Sequence, residues 1–190
     1  QPLEDRKVVI TRASGKTSYP CKTMLVAAMN PCPCGNYGSS NPCTCSESAI
    51  AKYLGKISRP VLDRIDIQIE VSAVNYSQLR EKAGTLCSAE IRENIEKARE
   101  VQKERFKGTD ILFNSEIPPS RLTEFCPLNE QAENFLRSVF DTLGLSARAY
   151  DRIMKVARTA ADIDGSEIIE KKHISRAVMY RTLDRKYWKS

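Results

Sequence analysis

The chain has 190 residues, of which 41% are hydrophobic and 28% are charged, a composition typical of a globular protein. This length allows one ordinary domain or two small ones, and no run of about 18 apolar residues occurs that could cross a membrane. The formal net charge of +6 favours an anionic partner such as nucleic acid, nucleotide or an acidic surface, although the cations are spread along the chain and most are expected to be solvated.

The cysteines and the first residues predict the cellular setting. There are seven cysteines, and the chain opens with neither an initiator methionine nor the charged-then-apolar pattern of a signal peptide. Clustered cysteines without an export signal are typical of the reducing cytoplasm, where they bind metal or stay free more often than they form disulfides. We therefore expect a cytoplasmic protein whose chain is an internal part of a longer polypeptide.

The first elements follow a strand pattern. Residues 8–11 alternate and are β-branched, and residues 12–18 are rich in turn-forming types around Gly15. Residues 24–29 form a continuous apolar run. Together these patterns predict a hairpin that leads into a buried strand.

A loop, a helix and a strand complete the first half. Residues 31–45 form a loop dense in Pro, Gly, Asn, Ser and Cys, which is too irregular for a helix or strand. Residues 46–56 then show helical spacing of apolar side chains. After Pro60, residues 65–71 alternate between apolar and polar types, which predicts a half-buried strand.

From residue 88 onward the apolar period changes to that of a helix, and no strand is predicted. Helices are expected over residues 88–106, after the caps Asn129 and Ser146, and over residues 171–183. Their inward faces are predicted from apolar spacing and comprise Ile91, Ile95, Ala98, Val101, Ala132, Phe135, Leu136, Val139, Ala149, Ile153, Val156, Ala157 and Ala160.

A Gly-Lys-Thr triplet at residues 15–17 has the ending of a phosphate-binding loop but lacks the rest of that motif. The required first glycine is Ile10, and Pro20 follows where a helix should run, so we predict no nucleotide-binding turn here. An exposed turn could instead carry Arg12 and Lys16 to a nucleic-acid phosphate, with an ordinary solvated turn as the alternative.

The cysteine loop has the composition of a metal site. It contains two close pairs of thiols on a loop with Gly35 and Gly38, and the pairs are Cys32 with Cys34 and Cys43 with Cys45. Four thiolates could wrap one tetrahedral Zn²⁺, and the glycines supply the positive φ angles that such loops need. Free thiols and native disulfides are the alternatives. The other cysteines, Cys21, Cys87 and Cys126, are predicted to be packing residues.

Four segments, residues 25–31, the cysteine loop, residues 59–66 and residues 145–152, occur in an order that resembles the magnesium-chelatase-like AAA+ ATPases of the ComM/YifB type. The resemblance covers nearly the whole chain. It implies an α+β fold in which residues 1–80 are the C-terminal part of an AAA+ α/β ATPase core, with the hairpin, the sensor strands and the Cys-rich insertion 31–45. Residues 85–186 would form an all-helical lid.

The resemblance also implies two catalytic residues. Asn30 matches sensor 1, an amide at a strand tip that orients the water attacking the γ-phosphate, and an amide can donate and accept at once. Arg64 resembles the arginine finger that reaches the ATP of a neighbouring subunit. The alternative for Arg64 is a pair with Asp63 or Asp66 at the start of a strand.

The predicted lid supplies the third arginine. Arg148 lies in the first turn of the helix capped by Ser146, where the helix dipole disfavours a cation unless an anion is near. It resembles sensor 2, which contacts the γ-phosphate of ATP, and Arg152 is the competing candidate. Arg158 is expected to be solvated or paired with an acid, and the only histidine, His173, is expected to be solvated.

The function implied by the resemblance belongs to a longer protein. The sequence contains neither a Gly-x-x-x-x-Gly-Lys-Ser/Thr motif nor an apolar strand ending in Asp-Glu, so the chain alone should not hydrolyse ATP. We expect a hexameric motor that uses ATP and Mg²⁺ and acts on DNA as a branch-migration helicase in natural transformation. The alternatives are a chelatase-type subunit that remodels a protein for Mg²⁺ insertion into a porphyrin, and a zinc-binding interaction module.

Overall fold

The computed structural model describes residues 2–71, 76, 87–181 and 187–188, except the side chain of Glu4. The fold is α+β and rich in helix, with a single two-stranded sheet in the described part of the chain. The described residues up to Ile65, together with Tyr187 and Trp188, form one compact unit, and those from Asp66 to Arg181 form another. None of the helices in these ranges is long and apolar enough to span a membrane.

The first unit opens with α1 (Pro2–Asp5) and an antiparallel hairpin of β1 (Lys7–Arg12) and β2 (Gly15–Pro20). Ala13 and Ser14 form the turn, so the predicted hairpin is confirmed. Apart from a half-buried Val8, the hairpin's residues, including those of its turn, are all exposed.

The buried strand predicted at residues 24–29 is wrong. These residues adopt no regular structure, and Met24 and Val26 are 89% and 82% exposed. The reason is that a strand is stabilised by hydrogen bonds to neighbouring strands, and none of the described strands pairs with this segment.

The strand predicted at residues 65–71 is also wrong. The side chains of Ile67, Ile69 and Val71, which were expected to face a core, are 51%, 66% and 83% exposed. The amide of Gln68 donates to the carbonyl of Tyr180 at 2.8 Å, but no described strand pairs with this segment. Alternation therefore exists in the sequence without a partner strand in the described structure.

The cysteine loop and the next helix form the small core of the first unit. Helix α2 (Glu47–Leu54) begins after Ser46, whose Oγ accepts from the amide of Ala49 at 3.2 Å, so the predicted helix is confirmed. Its buried side chains, Ile50 and Leu54, pack with Cys32. A short helix, α3 (Arg59–Leu62), follows.

From residue 88 onward, the secondary-structure elements of the described residues are all helices, as predicted. The second unit contains α4 (Ser88–Arg105), 3₁₀ turns at Asn114–Glu116 and Pro119–Arg121, α5 (Leu122–Phe125), α6 (Glu130–Leu143), α7 (Ala147–Ile163) and α8 (Lys171–Met179). The predicted caps are confirmed, because Asn129 Oδ1 accepts from the amide of Ala132 at 2.8 Å and Ser146 Oγ accepts from the amide of Ala149 at 3.2 Å.

The predicted inward faces are confirmed for α7 but not for the start of α4. On α7, Ala149, Ile153, Ala157 and Ala160 are buried. On α4 the expected face is buried only at Ala98, whereas Ile91, Ile95 and Val101 are about half exposed. The C-terminal half of α4 packs against α7, whereas its earlier turns do not contact the described core. Amphipathic spacing predicts which face of a helix is apolar but not how much of its length packs against other elements.

Buried charge joins α4 to α7. The Asp162 carboxylate accepts from Arg158 Nε at 3.0 Å and from Arg105 Nη1 at 2.8 Å, and it also accepts from Asn114 Nδ2 at 2.7 Å. Arg158 is thus paired with an acid, one of its two expected states, and is fully buried and not solvated.

The prediction that His173 is solvated is wrong. His173 is fully buried at the third position of α8. Its Nδ1 accepts from the amide of Glu170 at 2.9 Å, which closes a capping box, and its Nε2 lies 3.2 Å from Asp164 Oδ2. Burial is the main cause that lowers the pKa of His173, with the Asp164 carboxylate acting in the opposite direction.

Candidate functional site

Asn30 follows the exposed apolar run 24–29. Its side chain is exposed and forms no hydrogen bond with any other described residue. Since residues 24–29 are not a strand here, the structure does not place Asn30 at the edge of a sheet. The amide is accessible and could donate and accept at once.

Arg64 lies just after α3 in the same unit as Asn30. Its side chain is half-buried, and Nη1 donates to the carbonyl of Pro60 at 2.7 Å, so the guanidinium is held against its own short helix. Asp66, one of the two acids considered as its partner, accepts from Arg152.

Arg148 and Arg152 lie one helical turn apart on α7, and the structure distinguishes them. Arg152 is ion-paired with Asp66, and its side chain is 20% exposed. Arg148 is exposed and makes no hydrogen bond or ion pair with the described residues. The first turn of α7 contains no acidic residue that would neutralise it. A cation in this position opposes the helix dipole and is suited to an incoming anion.

The two cations of the hairpin lie at the same tip but on opposite faces. Arg12 pairs with Gly15 across the ribbon, and Lys16 pairs with Thr11. Because side chains alternate between faces along a strand and directly opposed residues share a face, Arg12 and Lys16 point to different sides. Both are exposed, so the tip presents positive charge in two directions.

The four clustered cysteines come together in the loop. The Sγ atoms of Cys32, Cys34 and Cys43 lie 3.4, 3.7 and 3.5 Å apart, and Cys45 joins them with all four sulfurs within 4.8 Å of one another. A disulfide would require about 2.05 Å. All seven cysteines of the chain are free, so the disulfide alternative is not borne out.

Backbone amides point at the sulfurs. The amide of Tyr37 donates to Cys32 Sγ at 3.3 Å. Backbone hydrogen bonds from Asn36 and Thr44 lower the pKa of Cys34 to about 5, and the pKa of Cys32 is lowered as well. The backbone hydrogen bond from Cys45 lowers the pKa of Cys43, but burial and the neighbouring thiols outweigh it and raise that pKa to about 12. Negative charge on one sulfur disfavours negative charge on its neighbours, as expected for closely spaced thiols that titrate together.

The isolated cysteines differ in their settings. Cys126 is a packing residue, as predicted, and its burial raises the pKa of the thiol to about 11. Cys87 is exposed at the start of α4, where its amide donates to Glu90 Oε2 at 2.7 Å, so the packing prediction is wrong for this residue. Cys21 is half-buried.

Two relationships were missed by reasoning from the sequence. One is the pairing of Arg152 with Asp66, and the other is the packing of Tyr187 and Trp188 beside the cysteine cluster. The only tryptophan of the chain, directly after a tyrosine in a lysine-rich terminus, was the available signal for the second. In both relationships the contacting residues are far apart in sequence, so the periodicity of the sequence could not identify the contacts.

Comparison with known proteins gives the family. Residues 1–79 match the model for magnesium chelatase, subunit ChlI, and residues 85–181 match the model for the C-terminal region of that subunit. The chain is 39% identical to the competence protein ComM of Haemophilus influenzae and 37% identical to the uncharacterized protein YifB of Escherichia coli, in each case over 97% of this chain and 36% of the relative. An uncharacterized protein of Mycobacterium tuberculosis is 31% identical over 86% of this chain and 32% of the relative.

The chain therefore spans about a third of the length of these curated relatives. One family model covers half of the chain and a second covers most of the remainder. The chain belongs to the magnesium chelatase subunit ChlI family of AAA+-type ATPases.

Proposed function

We propose that this chain is the sensor, arginine-finger and lid portion of an ATP-dependent AAA+ motor that acts on DNA. The observation that carries the proposal is the contrast on α7: Arg152 is held by Asp66, whereas Arg148 remains exposed without a partner among the described residues. A guanidinium kept available at the start of a helix is suited to a phosphate that arrives with a ligand.

Each proposed residue has a role that its chemistry supports. Arg148 contacts the γ-phosphate of ATP from the lid. Asn30 orients the attacking water, for which an accessible amide is suitable. Arg64 reaches the ATP of the neighbouring subunit and stabilises the charge that develops in the transition state. Arg152 then serves as a positioning residue through its pair with Asp66.

The ATPase core in this proposal extends beyond the present 190 residues. Residues 1–80 are its C-terminal part and residues 85–186 are the lid. The exposed apolar segments 24–29 and 65–71 would become strands when paired within a larger sheet, which accounts for their strand-like sequences. The phosphate-binding loop and the residues that hold Mg²⁺ would come from the rest of that core, since neither motif occurs in this sequence.

DNA as the substrate is supported by the hairpin and by one relative. Arg12 and Lys16 place a cation on each face of an exposed tip, where they could contact phosphates in the pore of a hexameric ring. The relative from Haemophilus influenzae is named a competence protein, which fits a cytoplasmic helicase that drives branch migration.

The alternative is a chelatase-type motor that remodels a protein partner for Mg²⁺ insertion into a porphyrin. The family description favours it, and it would use the same ATPase residues. The nature of the partner is therefore what separates the two proposals.

Binding of the longer protein to single-stranded and forked DNA, measured over a range of salt concentrations, tests the DNA proposal. We expect binding that weakens steeply as salt increases, because phosphate contacts release counterions. No binding at low salt would contradict the helicase proposal and favour the chelatase alternative.

A further inference from the structure

The loop 31–45 brings four thiols close together. Zinc bound by four cysteines has Zn–S distances of about 2.3 Å, which puts neighbouring sulfurs about 3.8 Å apart. The three Sγ separations among Cys32, Cys34 and Cys43 are 3.4, 3.7 and 3.5 Å, and Cys45 completes the set within 4.8 Å. The separations are too long for disulfides and close to those of a tetrathiolate site.

The backbone of the loop is shaped around this group of sulfurs. Gly35 has φ of +84° directly after Cys34, and its amide donates to the carbonyl of Cys32 at 3.0 Å, so the chain turns back on the first cysteine pair. The amide of Tyr37 then donates to Cys32 Sγ at 3.3 Å. Amides directed at sulfur stabilise thiolates, which are the form that binds a metal.

The chemistry of the donor set indicates which ion it takes. Several thiolates this close repel one another strongly unless a cation lies between them. Four sulfur donors suit zinc, and a set of four protein ligands, which leaves no fourth position for water, is typical of a structural site.

The cysteines also belong to the core that holds residues 187 and 188. Cys32, Ile50 and Leu54 are its buried side chains, and Trp188 Nε1 donates to the carbonyl of Leu54 at 2.9 Å. The ring of Tyr187 meets the ring of Tyr37 edge to face at 6.0 Å. So few buried apolar residues give little hydrophobic stabilisation, and small cores of this kind are commonly completed by a metal.

We propose that Cys32, Cys34, Cys43 and Cys45 bind one Zn²⁺, and that the bound ion orders the loop on which Tyr187 and Trp188 dock. Zinc then contributes folding free energy to a core that joins residue 32 to residue 188. This role is independent of the proposed ATPase function, because neither ATP nor DNA takes part in it.

The experiment uses the reduced chain, purified anaerobically, with its metal content measured directly. We expect one zinc per chain, lost in Cys34→Ser and Cys43→Ser and retained in Cys87→Ser, which removes an exposed thiol outside the cluster. Zinc-free chain that fails to take up added Zn²⁺, equal zinc in all three variants, or iron in place of zinc would overturn the site.

A second measurement on the unaltered chain avoids dependence on variants that fail to fold. Replacement of zinc by Co²⁺ should give the absorption bands of tetrahedral cobalt bound to thiolates. Trp188, the only tryptophan, reports on the docking. Chelation of the metal should shift its fluorescence towards that of exposed indole, and added Zn²⁺ should reverse the shift. Loss of the metal without any change in Trp188 fluorescence would overturn the coupling, and a cobalt spectrum without thiolate bands would overturn the ligand set.

Discussion

Arg152 donates to the carboxylate of Asp66 within the second unit, although 86 residues separate them in sequence. Arg148, one turn earlier on the same helix, makes no such contact among the described residues. In the function proposed above, this difference favours Arg148 over Arg152 as the arginine that contacts a bound phosphate.

Arg148→Ala should lower ATP turnover of the longer protein by about a thousandfold or more, the effect of removing an arginine that stabilises a transferring phosphate. Thermal stability should hardly change, because the side chain is exposed and its charge opposes the helix dipole. Steady-state ATPase assays and thermal unfolding measure the two effects. Arg137→Ala, which removes an exposed arginine of α6, is the matched control, and wild-type turnover in Arg148→Ala would refute the role.

Arg64→Ala should also lower ATP turnover by orders of magnitude while the fold is retained. Because an arginine finger acts on the neighbouring subunit, mixed rings of wild-type and Arg64→Ala subunits should lose activity more steeply than the mutant fraction rises. Arg59→Ala, an exposed arginine at the start of α3, provides the comparison. A linear loss in the mixtures would argue against action in trans.

Removal of the hairpin cations should weaken DNA binding without affecting stability. Arg12→Ala and Lys16→Ala should each reduce the slope of log affinity against log salt concentration by about 1, which corresponds to the loss of one phosphate contact. Both side chains are exposed at the tip of the hairpin. Fluorescence anisotropy with labelled single strands at several salt concentrations measures the slope. Lys52→Ala on the exposed part of α2 is the control, and an equal effect of that substitution would show that the hairpin has no special role.

The buried carboxylate of Asp162 should be important for stability. Asp162→Ala leaves the buried Arg158 and the neighbouring Arg105 without their shared acid, which should reduce the free energy of unfolding by about 3–5 kcal/mol. Chemical denaturation measures the loss. The exposed Asp141→Ala should change stability by less than about 0.5 kcal/mol, and similar losses in the two variants would contradict the role of the network.

Protonation of His173 should destabilise the second unit. The pKa of His173 in the folded chain is lowered below the ordinary value of about 6.5, so the unfolded chain binds the proton more readily. The stabilisation that results from the neutral imidazole is therefore complete above about pH 6.5 and is lost as the pH falls through the folded pKa. Denaturation curves at about pH 7.5 and about pH 5.5 should therefore differ more for the wild type than for His173→Gln.

The glutamine variant is a suitable control because Gln at the third helical position can accept from the amide of Glu170 as the imidazole does, but it does not titrate. An imidazole resonance of this single histidine that titrates at or above about 6.5 would contradict the assignment.

The sequence by itself determined the features that depend on near neighbours. The caps Asn129 and Ser146 bond to amides three residues away, and the hairpin turn brings adjacent strands together, so local pattern was sufficient. The paired spacing of the cysteines likewise indicated one cluster before any distance was known.

The tertiary structure decided whatever depends on distant partners. Residues 24–29 and 65–71 have strand-like sequences, but a strand needs a neighbouring strand, and none pairs with them in the described part. The burial of His173, the pairing of Arg152 with Asp66 and the docking of Trp188 on Leu54 each depend on which elements pack together. Hydrogen bonds within a turn of helix are encoded locally. Burial, the Arg152–Asp66 ion pair across 86 residues and the Trp188–Leu54 hydrogen bond across 134 residues arise only once the chain has folded.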